Sequence, residues 1–182
     1  MKHYCVISHT HWDREWYLTQ EQFRLKLVDL MDHLLTLLEK EKTYIFHLDA
    51  QAIVLEDYWD IRPETKALCT KLIREGRLIV GPWYVQNDFL LTSGEATVRN
   101  LLIGRKQAME AGGCGSTGYT PDQFGLISQL PQILRGFGLD NCIFGRGYRD
   151  FTVDEAGTIQ EHPLPSELLW KSPDGSEVFA VS

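Results

Sequence analysis

Two rhythms of apolar and polar positions alternate along the chain. The first apolar run, Tyr4-Cys5-Val6-Ile7, reads as a short buried strand. Thr19-Gln20-Glu21-Gln22 then has the form of a capping box, in which the Thr hydroxyl and the Gln side chain satisfy free backbone N–H groups. Behind it Phe23, Leu27, Leu30, Leu34 and Leu38 recur at helical spacing and predict one apolar helix face through about Lys40. Tyr44–Leu48 is the next strand, ending at Asp49. Pro63 suits the first turn of a helix that runs to Gly76, and Arg77–Val80 starts a third strand leading into "GPWYVQND". Thr92-Ser93-Gly94-Glu95 is a second capping box, opening a helix through Val98, Leu101, Leu102 and Met109 to Gly112-Gly113. A short strand around Gly118-Tyr119 precedes "PDQFG", a helix covers about Ile127 to Arg135, and Asn141–Phe144 is a fifth strand ending at Arg146. Two last apolar runs, Leu168–Trp170 and Val178–Val181, flank Ser172-Pro173-Asp174-Gly175 as a hairpin would.

Strands alternating with helices predict an α/β fold of βαβ units around a parallel sheet. Right-handed crossovers send such strands the same way, so their C-terminal ends share one rim, where ligands bind. In this sequence those ends carry His9, His11 and Asp13, then Asp49, Asn87 and Asp88, Asp122 and Arg146. No repeat, low-complexity tract or Gly/Ser linker interrupts residues 1–182, so a single α/β domain is expected. The last run is barely finished at Ser182, which suggests a fragment of something longer.

Composition narrows the partners. Hydrophobic residues make up 43% and charged residues 24% of the 182 positions, ordinary for a globular protein. A formal net charge of -7, with no basic cluster, argues against a nucleic-acid or anionic-membrane partner. No run approaches a membrane span, and the start is too brief for a signal peptide. Cys5, Cys69, Cys114 and Cys142 are widely spaced and read as buried thiols, which fits a reducing cytoplasm.

The chemistry concentrates in "SHTHWDREW", residues 8–16. In an extended segment His9, His11 and Asp13 point the same way, and imidazole with carboxylate suits Zn²⁺. A His-x-Asp pair needs further ligands, and Asp122, at another strand end beside Pro121 and Phe124, is the best candidate. Hydrogen-bonded core histidines and a turn-capping Asp13 are the competing reading. Gathered acids repel unless a cation compensates them; a metal or Arg146 could do so, and Arg146 could equally form a structural salt bridge to Asp122 or Asp88. Trp12, Trp16, Trp83, Tyr84 and Phe124 lie near these acids, as sugar-binding faces or as core. H-E-x-x-H, Walker, G-x-S-x-G and dinucleotide motifs are absent.

Together "SHTHWDREW", "GPWYVQNDFLLTSGEATVRNLL", "GYTPDQFGLISQLPQIL" and "IFGRGY" resemble the N-terminal region of a glycoside hydrolase family 38 α-mannosidase, in order over nearly the whole chain. "GPWYVQND" and "ELLWKSPDGSEV" resemble the bacterial-type branch most. The resemblance implies the N-terminal part of a (β/α)7-type barrel and a retaining, zinc-dependent exo-α-mannosidase acting on an α-mannoside. It implies zinc ligands at His11, Asp13 and Asp122, with Asp122 also the nucleophile. Trp16 and Phe124 would line the terminal-mannose subsite, Arg146 would stand near the nucleophile, and Asp88 would contact sugar or support the site. The family takes its fourth zinc ligand, a histidine, and its general acid from later sequence, so half a site and little or no activity are expected of residues 1–182 alone. Assembly of a longer chain into a homo-oligomer stays open, as do two alternatives: a metal-dependent carbohydrate deacetylase and a non-catalytic sugar-binding domain.

Overall fold

The computed structural model describes residues 4–148, 150–162 and 165–182. They pack as two compact units, one running to Val85 and resuming at Arg99–Gly115, the other made of Gln86–Val98 and Ser116–Ser182. The chain divides at three points: inside "GPWYVQND", inside a continuous helix, and after Gly115, and only the last falls in a glycine-rich stretch, Gly112-Gly113-Cys114-Gly115-Ser116.

The first unit is built on a parallel sheet of β1 (His9–Thr10), β2 (Phe46–Leu48) and β3 (Leu78–Ile79), in that order. The predicted strand over Tyr4–Ile7 is displaced. Pairing with β2 begins only at Ser8, whose carbonyl accepts the His47 N–H, and Tyr4, Val6 and Ile7 are exposed. Helix α1 (Gln20–Lys40) starts at the predicted box: Thr19 Oγ1 accepts the Gln22 N–H, and Gln22 Oε1 accepts the Thr19 N–H. Its buried face adds Met31 and Leu35 to the predicted Phe23, Leu27, Leu34 and Leu38.

A helix that the pattern does not reveal, α2 (Ile53–Trp59), follows β2. Pro63 opens a 3₁₀ turn that continues as α3 (Lys66–Arg74). Most of α4 (Gly94–Ala111) also belongs to this unit. The core joins Leu27, Met31, Leu38, Leu48, Val54, Tyr58, Leu72, Leu78 and Ala108, each large side chain stabilising by roughly 1.5–3 kcal/mol relative to exposure. Gly104 on α4 lies against the backbone of Trp83 and Tyr84; a Cβ there would stand 2.1 Å from the Trp83 carbonyl carbon. Trp83 is therefore a fully buried core residue, and Trp12 packs edge-on against Phe23, so neither is a free sugar face.

In the second unit β4 (Gly118–Thr120) pairs in parallel with β5 (Asn141–Phe144), and α5 (Leu130–Gly136) lies between them in sequence. A hairpin of β6 (Asp150–Val153) and β7 (Ile159–His162) follows, then β8 (Glu167–Lys171) and β9 (Glu177–Val181) as the predicted antiparallel pair. β9 adds in parallel to β5, giving a mixed sheet β4-β5-β9-β8. Buried Ser172 at the β8–β9 turn donates to the Ser128 carbonyl and accepts the Gln132 N–H, both at 2.9 Å.

The second predicted capping box forms differently. Ser93 Oγ accepts the Ala96 N–H, while Thr92 donates to the Asp88 carbonyl and accepts from Asn87. All four thiols are free: Cys69 and Cys142 are buried, Cys114 half-buried and Cys5 exposed. Burial pushes the Cys142 thiol up to about 12 and raises Cys69 and Cys114, so these thiols are poor nucleophiles. Among the described residues no helix is long and apolar enough to cross a membrane.

Candidate active site

Each unit gathers predicted residues at the C-terminal ends of its parallel strands. In the first unit the chain leaves β1 through His11, Trp12 and Asp13, and leaves β2 at Asp49. His11 Nε2 lies 3.5 Å from Asp13 Oδ1, while His11 Nδ1 faces Asp49, 3.2 Å from Oδ2 and 3.4 Å from Oδ1. Asp49 is fully buried and also accepts the Trp12 backbone N–H and the Gln51 amide, each at 2.7 Å. Asp49 and Ala50 both have left-handed backbone (φ 44° and 55°), a conformation L residues hold only where surrounding contacts enforce it. Next along the chain Arg14 makes a two-pronged bond to Asp57 on α2, at 2.7 and 2.9 Å. The segment after β1 is thus tied down on both sides of Asp13.

The hydrogen bond with Asp49, together with the Asp49 and Asp13 charges, raises the His11 pKa above 6.5 against the opposing effect of burial. Two carboxylates on one imidazole make this a place that favours positive charge, whether a proton or a metal ion. The donor set fits zinc chemically: Nε2 is directed at Asp13 and the other ring nitrogen is engaged by a carboxylate. It supplies two donors. Among the described residues no three His, Cys, Asp or Glu side chains gather in a group able to hold a metal ion.

Trp16 stands further along the same segment, edge-on to Tyr17 with ring centroids 5.2 Å apart, and is 74% exposed.

In the second unit the chain leaves β4 at Pro121-Asp122 and β5 at Gly145-Arg146. These ends touch because residue 145 is glycine: a Cβ there would meet the Pro121 carbonyl oxygen at 2.4 Å. The contact lets Arg146 Nη2 donate to Asp122 Oδ1, which realises one of the two partners anticipated for that arginine. The Arg146 guanidinium carbon also lies 4.6 Å from the centre of the Phe124 ring. Phe124 is 59% exposed, and its backbone N–H donates to Asp88 Oδ1 at 2.7 Å. Asp88 therefore acts on the Asp122–Phe124 segment through the backbone, a job its position at a strand end did not reveal.

Sequence reasoning placed Asp49 at the rim but gave it no role, and it did not single out Gln51 or Asp57. The signal for Asp49 was the same as for Asp122, a carboxylate directly after a strand. Its burial and these three contacts arise from residues 2 to 38 positions away.

Comparison with known proteins gives the setting. The description "Glycosyl hydrolases family 38 N-terminal domain" matches residues 1–182. A putative mannosylglycerate hydrolase of Halalkalibacterium halodurans is 45% identical over 179 residues, covering 97% of this chain and 20% of that protein. An alpha-mannosidase of Saccharomyces cerevisiae is 30% identical over 177 residues, covering 95% and 15%. The crystal structure of an alpha-mannosidase from Enterococcus faecalis V583 superposes with a TM-score of 0.85 at 37% identity, over 96% of this chain and 19% of that one. The chain thus spans a fifth or less of the length of these relatives. With a family match from end to end and a relative at 45% identity, the chain belongs to glycosyl hydrolase family 38.

Proposed function

We propose that residues 1–182 form the N-terminal portion of one (β/α)7-type catalytic domain that hydrolyses terminal α-mannosidic bonds with retention of configuration. The observation that carries this reading is the pairing of Asp122 with Arg146 at adjacent parallel strand ends, in a chain that belongs to family 38 throughout. Asp122 is the nucleophile. The Arg146 guanidinium donates to one oxygen and orients the carboxylate for attack on the anomeric carbon. Phe124 and Trp16 offer exposed aromatic faces for the C–H side of a sugar ring, and Asp88 holds the backbone of Phe124 in place. The acid that protonates the leaving oxygen, about 5–5.5 Å from the nucleophile in retaining enzymes, comes from sequence outside these residues.

His11, Asp13 and Asp122 would hold zinc, which when bound supplies Lewis-acid attraction for sugar hydroxyls and for charge that shifts in the transition state. The free thiols support a reducing, cytoplasmic setting. The substrate is an α-mannoside, and the H. halodurans relative's name makes mannosylglycerate the first natural candidate.

The test uses the longest natural chain that carries these residues. Turnover of an aryl α-mannoside or mannosylglycerate with retained configuration is expected, with Asp122→Asn lowering kcat by at least about a thousandfold. Inversion, or an Asp122→Asn variant with wild-type turnover, would overturn the reading.

A further inference from the structure

We propose that Asp49 is a positioning residue that fixes the tautomer and the aim of His11, presenting Nε2 as a metal-binding nitrogen beside Asp13. This rests on the zinc reading above and deepens it.

The argument begins with the two ring nitrogens. A neutral imidazole carries one proton, and only the bare nitrogen can bind a metal. Nδ1 lies 3.2 and 3.4 Å from the two oxygens of the buried Asp49 side chain, and carboxylate oxygens accept, so the proton belongs on Nδ1. Nε2 is thereby left bare on the side where Asp13 lies, 3.5 Å away. A ring nitrogen engaged by a carboxylate also makes the other nitrogen a better ligand.

The rest of the local structure serves to hold that carboxylate still. Oδ2 takes the Trp12 N–H and the Gln51 amide, and Gln51 also donates to the Trp12 carbonyl at 2.8 Å. Asp49 is therefore clamped to the same segment that carries His11 and Asp13. The left-handed backbone at Asp49 and Ala50 turns the chain sharply as it leaves β2, in the stretch where this carboxylate is placed. A purely structural staple would need the bonds to Trp12 and Gln51, but it would be indifferent to which nitrogen of His11 carries the proton.

Asp49→Asn separates the two roles. Its single oxygen can keep the place of Oδ2, accepting from Trp12 and Gln51. Its NH₂ then faces Nδ1, forces that nitrogen to accept, and moves the ring proton to Nε2, where it blocks the metal.

The readout is zinc affinity by chelator competition, with thermal stability of the metal-free forms alongside, in the longest natural chain. Asp49→Asn should weaken zinc binding by about 10–100-fold with the metal-free melting temperature close to wild type. Gln51→Met, which loosens the clamp but leaves Nδ1 facing Asp49, should weaken zinc binding less than Asp49→Asn does. Wild-type affinity in Asp49→Asn would overturn the proposal while leaving the zinc reading intact; a wild-type chain that takes up no zinc would overturn the zinc reading and this role with it. Should Asp49→Asn not fold, a zinc-bound crystal structure of the wild type decides. Metal on His11 Nε2 with Asp49 on Nδ1 supports the role, and metal on Nδ1 overturns it.

Discussion

In the first unit the carboxylate that ends β2 is wholly buried and is bonded to His11, Trp12 and Gln51. In the second, the carboxylate that follows β4 is about a third exposed and pairs with an arginine that is itself nearly half exposed. Both stand just beyond the C-terminal end of a parallel strand, so topology alone does not separate them. Burial does. A buried carboxylate with every oxygen engaged costs much to disturb, which suits a group whose task is to hold another side chain still. A carboxylate about a third exposed can be approached by a ligand, which suits a group that reacts. The fold offers the same position twice and the environments divide the work.

Three substitutions probe that division, in order of expected loss of stability. Asp57→Ala in the first unit strands the Arg14 guanidinium, two-thirds buried, and should cost about 2–3 kcal/mol in urea unfolding, since breaking a buried pair leaves an uncompensated charge. A cost below about 0.5 kcal/mol would mean that the segment after β1 is not held as described. Ser172→Ala in the second unit removes an acceptor for Gln132 and a donor to Ser128 in a buried turn and should cost about 1–2 kcal/mol. This unit is thus not uniformly loose: a buried hydroxyl ties its β8–β9 turn to the start of α5 and the segment before it. Arg146→Met should cost less than about 1 kcal/mol, as surface pairs do, while lowering turnover in the longest chain far more than stability. A stability loss of 3 kcal/mol would show that Arg146 is a structural staple, and the contrast between the units would fail.

What the sequence disclosed follows from how local each signal is. Helix α1 was legible because its start is a four-residue capping box and its buried face repeats within one element. The strand-end positions of Asp122 and Arg146 were legible because each stands two residues beyond a short strand. Helix α2 was not: it has seven residues, and no side chain caps its N-terminus. The β6–β7 hairpin was missed because β7 is exposed at all four positions, so no alternation betrays it. Its turn is held by Asp154 accepting from Ala156 and Thr158, a signal in backbone N–H groups that hydropathy does not carry. Tyr4–Ile7 misled in the opposite sense, since an apolar run predicts a strand only when another strand pairs with it. The role of Asp49 was hidden most completely, because its donors on the first segment lie 37 and 38 residues away and its left-handed backbone is unusual for any residue but glycine.

The central claim, that the open carboxylate of the second unit is the reacting group, is tested most directly by covalent trapping. An activated fluorinated α-mannosyl donor, whose glycosyl ester forms faster than it hydrolyses, is incubated with the longest natural chain and the protein is mapped by peptide mass spectrometry. The account predicts a single mannosyl adduct on Asp122 that is absent from Asp122→Asn. An adduct on Asp49, Asp88 or any other carboxylate would contradict it.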